Sequence, residues 1–204
     1  MLIDISKHIN KPVKGIIQVG AHIGNELSEL KKLCNDILMF EPQKNVYDQL
    51  IKNIGNDKQI IAENFALGAV PSKAKMYKEY ANSGQSSSLM APSLHTIQYP
   101  SIQFTDMEEV EIKTLDQYLE SSNKEYNVLL LDVQGYELEV LKGASKTLSK
   151  IDYILCEVNR AELYKGCPMY TEIENYLKQF NFICEEVNWI GLTWGDAFYV
   201  KQSN

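Results

Sequence analysis

The stretch VLLLDVQGYELEVLKGA, residues 128 to 144, runs four apolar residues straight into an acid, Asp132. A short, wholly apolar run reads as a strand covered on both faces. Ligands of open α/β sheets bind outside the carboxyl ends of such strands. Asp132 therefore stands where chemistry is expected, and Gly135 lets the chain turn back into a helix. Glu157 ends another apolar run, YILCEVN. A carboxylate placed to take a hydroxyl proton contributes roughly 10²–10⁴-fold, and aligning two reactants is worth ~7–11 kcal/mol. Asp132 is the first choice for a base or acceptor-orienting group and Glu157 the second. The same residues admit plainer roles. Asp132 could cap the next helix, where an acid contributes ~0.3–1 kcal/mol, and Glu137 and Glu139 suit its first turn for the same reason. Two carboxylates without a third ligand make a poor divalent-cation site, so no metal is assigned.

A second constellation lies in GIIQVGAHIGNELSEL and ILMFEP. Gly20 and Gly24 let the backbone turn sharply between a strand and a helix whose N-terminus offers N–H groups to an anion. Glu41 follows Gly20 by 21 residues, an offset suited to hydrogen bonding the ribose hydroxyls of a nucleotide-like cofactor. The dinucleotide pattern G-x-G-x-x-G is not met, because its positions fall on Gly20, His22 and Asn25. A pyrophosphate thus lacks its close backbone approach, whereas a looser Gly-x-x-x-Gly turn accepts the amino-acid tail of S-adenosylmethionine. That molecule is the expected cofactor. A nicotinamide-dependent oxidoreductase is the alternative, but no Tyr-x-x-x-Lys pair lies near a strand end to donate its proton. A third reading is a binding-only module that has lost activity.

The elements that must hold these residues alternate along the chain. Strands are expected at 15–19, 37–40, 60–65, 128–131, 153–157, 182–187 and 197–200. Helical stripes run through Leu27, Leu30 and Leu33; through Val46, Tyr47, Leu50 and Ile51; through Leu138, Leu141 and Leu148; and through Ile173, Tyr176, Leu177 and Phe180. Gly143 breaks the third into two pieces, and Thr171 with Glu174 places the start of the fourth near Thr171. Such alternation predicts a mostly parallel sheet with helices on both faces.

The longest irregular stretch, 81–109, is rich in serine and reads as a lid or binding loop. Ser86, Ser87 and Ser88 offer hydroxyls to a polyol or form a solvated turn. His95 in the same loop is either a base or an exposed residue, and Tyr99 and Tyr164 are ring-stacking candidates.

Bulk properties narrow the field. With 204 residues and no linker, the chain reads as one domain over 1–204. A net charge of −7 and a single arginine, Arg160, argue against a nucleic-acid partner. No apolar run approaches the ~20 residues that span a bilayer, and the N-terminal segment lacks a signal-peptide pattern, so a cytoplasmic location is expected. Cys34, Cys156, Cys167 and Cys184 show no C-x-x-C pair and read as reduced thiols. Oligomeric state leaves no trace in the sequence.

Taken in order, the blocks VGAHIG, FEP, ENFALG, TLDQYL, LDVQGYELEVLKGA and GDAFYVK resemble the FkbM-type methyltransferases, over roughly residues 15 to 200. The resemblance implies a Rossmann-like class I methyltransferase fold, a seven-stranded and mostly parallel sheet whose last strand, GDAFYVK, is antiparallel. It implies that Gly20, Ala21, His22 and Gly24 wrap the methionine part of S-adenosylmethionine, that Glu41 holds the ribose and that Asn64, Ala66 and Leu67 border the adenine. Asp132 would face the reacting end. The implied activity is methyl transfer to a hydroxyl of a carbohydrate or carbohydrate-bearing metabolite. Three positions depart from the family pattern. Gln18 replaces an acid, His22 an asparagine and Gln134 a glutamate.

Overall fold

The computed structural model describes residues 3–202. Its central sheet holds seven strands: β1 (Ile16–Val19), β2 (Ile37–Phe40), β3 (Ile60–Glu63), β7 (Val128–Leu131), β8 (Tyr153–Asn159), β9 (Phe182–Ile190) and β10 (Trp194–Lys201). Their order is β3-β2-β1-β7-β8-β10-β9, parallel except for β10, which runs antiparallel to both neighbours. The chain crosses over between β1 and β7, so the carboxyl ends of those two strands flank the place where strand order reverses. Open sheets bind ligands there.

Side chains alternate across the sheet as strand geometry demands. Ile17, Val19, Leu38, Phe40, Leu129 and Leu131 enter the core on one face, and Ile16, Ile37, Met39, Val128 and Leu130 enter the core on the other. Helices α1 (Leu27–Leu33) and α2 (Lys44–Ile54) cover the second face through Leu30 and Leu50. Helices α4 (Leu115–Leu119), α5 (Glu137–Lys142) and α6 (Tyr170–Lys178) cover the first through Leu115, Leu141 and Leu177. Both faces being sheltered explains why the central strands read as unbroken apolar runs. Gly143 ends α5, and a 3-10 turn at Thr147–Ser149 follows.

Four details differ from the sequence expectations. The run 60–65 is not one strand. β3 stops at Glu63, and β4 (Ala66–Leu67) joins a separate three-stranded sheet with β5 (Ser72–Glu79) and β6 (Phe104–Lys113), in the order β4-β6-β5. Strands β5 and β6 escaped notice because SKAKMYKE and FTDMEEVEIK are dominated by charged residues, which strand propensity disfavours. Among the apolar residues of these two strands, Met76, Val110 and Ile112 bury with Ala66 to seat the small sheet. The stretch 81–109 is accordingly not loop throughout, since it holds α3 (Leu94–Gln98) and the first half of β6. Finally, α6 starts at Tyr170, where Glu172 rather than Glu174 reaches back to accept the Met169 N–H at 2.9 Å. No helix among the described residues is long and apolar enough to cross a membrane.

Candidate active site

The β1–α1 turn is built around close approach. The N–H groups of Gly20 and Ala21 both donate to the Phe40 carbonyl at 3.0 Å. Gly20 adopts φ +81°, and a Cβ there would lie 1.8 Å from the Asp132 carbonyl oxygen. Only glycine lets the end of β1 abut the end of β7 in this way. His22 follows at φ 49° and donates its N–H to Glu41 Oε2 at 2.9 Å, while Gln43 N–H donates to Oε1 at 2.8 Å. Glu41 is thereby fixed at the tip of β2. Burial raises its carboxyl from 4.5 to about 7 despite these two donors. Each oxygen retains lone-pair capacity beyond its single backbone partner.

Gln18 lies in the same hollow, 4% exposed. Its Nε2 donates to Glu26 Oε2 at 3.1 Å, and its Oε1 is buried with no hydrogen-bond partner. A carboxylate, that of Glu26 at the mouth of α1, therefore lies against the Gln18 amide. Sequence reasoning overlooked Glu26, although a carboxylate two residues after Gly24 was a usable signal.

A cluster of acids closes the other end. Gln134, at φ 55°, donates its amide hydrogens to Asp132 Oδ1 and Glu157 Oε2, both at 2.9 Å. The Tyr164 hydroxyl divides its single proton between Gln134 Oε1 at 2.7 Å and the Ser86 carbonyl at 2.8 Å. Asp196 stands opposite Glu157 in the β8–β10 register. Asp132 is open to the cavity yet walled by protein, so desolvation raises its carboxyl. Glu157 is pushed up further, first by burial and then by Asp132, Glu137 and Asp196. Glu137 lies in the first turn of α5, as expected. It is fully buried and its Oε1 accepts the N–H groups of Val133 and Gly135, pinning the turn that carries Gln134. Glu139 pairs with Lys142 on the surface.

The Ser-rich segment folds over the hollow. Glu79 accepts the N–H groups of Asn82 and Ser86, His22 Nε2 donates to the Ser83 carbonyl, and Gln43 Nε2 donates to the Gly84 carbonyl. Ser86, Ser87 and Ser88 are all buried, which departs from an exposed polyol-binding row. The Ser87 hydroxyl receives the Glu79 N–H, and that of Ser88 donates to the Gln134 carbonyl at 2.7 Å, so both already have structural partners. His95 is not an exposed loop residue. It packs between Tyr99, Phe104 and Tyr164 with ring centroids 5.1–5.4 Å apart, and burial lowers its pKa, keeping the imidazole neutral. Trp194, unnoticed in the sequence, donates its indole N–H to the Tyr99 hydroxyl at 2.9 Å.

These residues enclose a cavity of about 370 Å³, within the ~300–1,000 Å³ common to small-molecule sites. Gly20, His22, Glu41, Ala66, Leu67, Ser86, Ser87, His95, Asp132 and Glu157 all line it. Ala21, Gly24, Asn64 and Ser88 do not. Ala21 is wholly buried beneath the turn, Gly24 (φ +81°) starts the path into α1, and the Asn64 amide is tied to the carbonyls of Glu41 and Pro42. Tyr164 is buried and locked by hydrogen bonds rather than presented as a stacking face. Among the described residues no group of three or more His, Cys, Asp or Glu side chains is disposed to hold a metal ion. The unpartnered Gln18 Oε1 beside Glu26 suits an ammonium donor, and Glu41 suits a pair of vicinal hydroxyls. The cavity therefore fits an amino-acid-bearing nucleoside.

Comparison with known proteins agrees with this geometry. The family described as Methyltransferase FkbM domain matches residues 18–184. The 2-O-methyltransferase NoeI of Sinorhizobium fredii is 26% identical over 188 residues, covering 87% of this chain and 76% of the relative. Among solved structures, magnesium protoporphyrin IX methyltransferase from Synechocystis, with bound S-adenosylmethionine, superposes with a TM-score of 0.54 at 9% identity, over 97% of this chain and 74% of that one. An rRNA methylase from Streptococcus thermophilus gives 0.52 at 11% identity, over 98% and 93%. At such identities these two structures speak for the fold.

Proposed function

Because the chain belongs to the FkbM methyltransferase family, we propose that this S-adenosylmethionine-dependent enzyme methylates oxygen, on a hydroxyl of a carbohydrate or carbohydrate-bearing metabolite. The observation that carries the proposal is the Asp132–Glu157 pair, clamped by one amide at the carboxyl ends of β7 and β8 and open to the cavity.

When bound, the cofactor supplies an electrophilic methyl group on sulfur. Gln18 and Glu26 hold its ammonium, the turn from Gly20 to Gly24 shapes the space for its amino-acid tail, and Glu41 takes the ribose hydroxyls. Ala66 and Leu67 border the adenine, with Asn64 acting indirectly by holding the Glu41 carbonyl. Asp132 would accept the proton of the acceptor hydroxyl as its oxygen gained the methyl carbon and the carbon–sulfur bond broke, the bonding pair leaving with sulfur. Burial raises both carboxyls, and the neighbouring Asp132, Glu137 and Asp196 raise Glu157 as well; Asp132, the more exposed of the two, is the one we assign as base. The two titrate as a pair. Neutral His95, Tyr99 and Trp194 wall the acceptor side, and residues 81–109 supply much of that wall. The whole chain works as one catalytic domain on a small-molecule or glycan acceptor rather than on nucleic acid. The four cysteines are free thiols, as a reducing compartment keeps them, and we place the enzyme in the cytoplasm.

The test has two arms. Calorimetric titration with S-adenosylmethionine, S-adenosylhomocysteine and NAD should show micromolar binding of the two sulfur nucleosides alone. Transfer of labelled methyl to glycosides should then give a product whose label survives alkaline hydrolysis, as an ether does and an ester does not. Label lost to base, or found on nitrogen, would sink the O-methyl reading.

A further inference from the structure

Residues 80–87 form a turn that is braced from within and only lightly tied to the rest of the protein. Ser83 N–H donates to the Tyr80 carbonyl, Gln85 N–H to that of Asn82 and Ser87 N–H to that of Gly84. From the end of β5, Glu79 accepts the N–H groups of Asn82 at 2.6 Å and Ser86 at 3.2 Å. The base is anchored at Ser88, which exchanges two backbone bonds with Tyr77 and gives its hydroxyl to the Gln134 carbonyl. Among the described residues, no backbone–backbone hydrogen bond joins 81–87 to a residue outside 80–88. Three carbonyls tie the turn to what it covers instead. That of Ser83 accepts from His22 Nε2 at 2.8 Å, that of Gly84 from Gln43 Nε2 at 3.0 Å and that of Ser86 from the Tyr164 hydroxyl at 2.8 Å. Tyr164 shares its one proton with Gln134, so the third tie is a divided one.

The first two donors have a second task. His22 and Gln43 give their backbone N–H groups to the two oxygens of Glu41 and their side chains to the turn. Glu41 ends a strand, where open sheets expose side chains, yet it is only 3% exposed. Asn82, Gly84, Gln85, Ser86 and Ser87 line the cavity around it. Gly84 seats closely, since a Cβ there would lie 2.8 Å from Gln43 Oε1.

Resting on the placement of the cofactor's ribose at Glu41, we infer that residues 80–87 are a gate for the cofactor, latched by His22 and Gln43. The turn swings as one piece on its anchored base, and S-adenosylmethionine and S-adenosylhomocysteine pass when the two latching bonds part. A neutral hydrogen bond at an exposed turn is readily exchanged for one to water. Segments with few outward bonds are the ones that open locally, and closing loops of this kind commonly control ligand exchange.

The experiment measures association and dissociation rates of S-adenosylhomocysteine with the full chain by stopped-flow tryptophan fluorescence, Trp194 being part of the cavity wall. Gln43→Met keeps the length of the side chain and removes its donor, and His22→Ala removes the other. Each should raise the association rate constant at least about threefold, and the dissociation rate constant with it. The double variant should reach about tenfold. Loss of an ordinary contact speeds dissociation alone, whereas a loosened gate speeds both. Unchanged association therefore overturns the inference and leaves the proposed function standing. No binding by the parent protein would overturn the cofactor placement and the gate together. A second measurement needs no variant. In the parent protein, amide hydrogen exchange across 81–87 should slow roughly tenfold or more with saturating S-adenosylhomocysteine. Without ligand it should be faster than in β1 and β7. Exchange as slow as in those strands refutes the gate.

Discussion

Replacing Glu41 with glutamine tests the site through stability rather than turnover. Burial moves this carboxyl from 4.5 to about 7, so the folded protein holds the proton more tightly than the unfolded chain. As pH rises from 4.5, the unfolded state loses its proton first. Folding then weakens until the folded group also ionises near pH 7. At about 1.4 kcal/mol per tenfold change in proton affinity, this side chain removes roughly 3 kcal/mol of stability between pH 4.5 and pH 8. Its exposure is only 3%, so little solvent screening applies. Glu41→Gln abolishes that dependence. The variant also suffers a loss that does not vary with pH, because a carboxylate accepts both the His22 and Gln43 N–H groups and an amide offers only one acceptor. An unmet buried donor costs ~1–3 kcal/mol. Urea denaturation of both proteins at pH 4.5 and 8 separates the two effects. Glu137, also raised to about 7, contributes equally to both proteins and cancels in the comparison. The parent should lose roughly 3 kcal/mol more than the variant across this range. Equal losses, within about 1 kcal/mol, would refute the account of Glu41 as a buried carboxyl deprived of solvent.

Three further outcomes are expected. Asp132→Asn should leave the dissociation constant of S-adenosylmethionine within a few-fold by calorimetry while kcat falls roughly 10²–10⁴-fold; equal loss of binding would contradict the division of roles. Gln134→Glu replaces an amide that donates to two carboxyls with a third acid, so the acidic limb of the pH–rate profile should move to higher pH, and an unmoved limb would argue against the clamp. Gly20→Ala places a Cβ 1.8 Å from a backbone oxygen at φ +81°, and should cost at least ~2 kcal/mol in chemical denaturation; a neutral effect would mean that the two strand ends do not abut as described.

The central sheet was legible in the sequence because strands covered on both faces must be apolar throughout, as Ile16–Val19, Ile37–Phe40 and Val128–Leu131 are. The positions of Gly20, Glu41, Asp132 and Glu157 were equally legible, since each ends an apolar run and strand ends are where open sheets expose side chains. Strands β5 and β6 were hidden by charge. Most of their lysines and glutamates face solvent or pair across the ladder, as Lys73 does with Glu109, while Glu79 is buried under the Ser-rich segment, and local propensity cannot reveal a strand stabilised by its neighbour. The fate of the serines was hidden for a related reason, because a hydroxyl on a loop looks available until the fold brings the Glu79 N–H and the sequence-distant Gln134 carbonyl against it. What only the tertiary structure decided was which polar groups share one enclosed space. Glu26 meets the Gln18 amide, Gln134 binds two carboxyls that are 25 residues apart, and β10, inserted beside β8, brings Asp196 opposite Glu157. Sequence periodicity reports which face of an element is buried. It carries no record of what lies across from it, and the chemistry of this cavity depends on that.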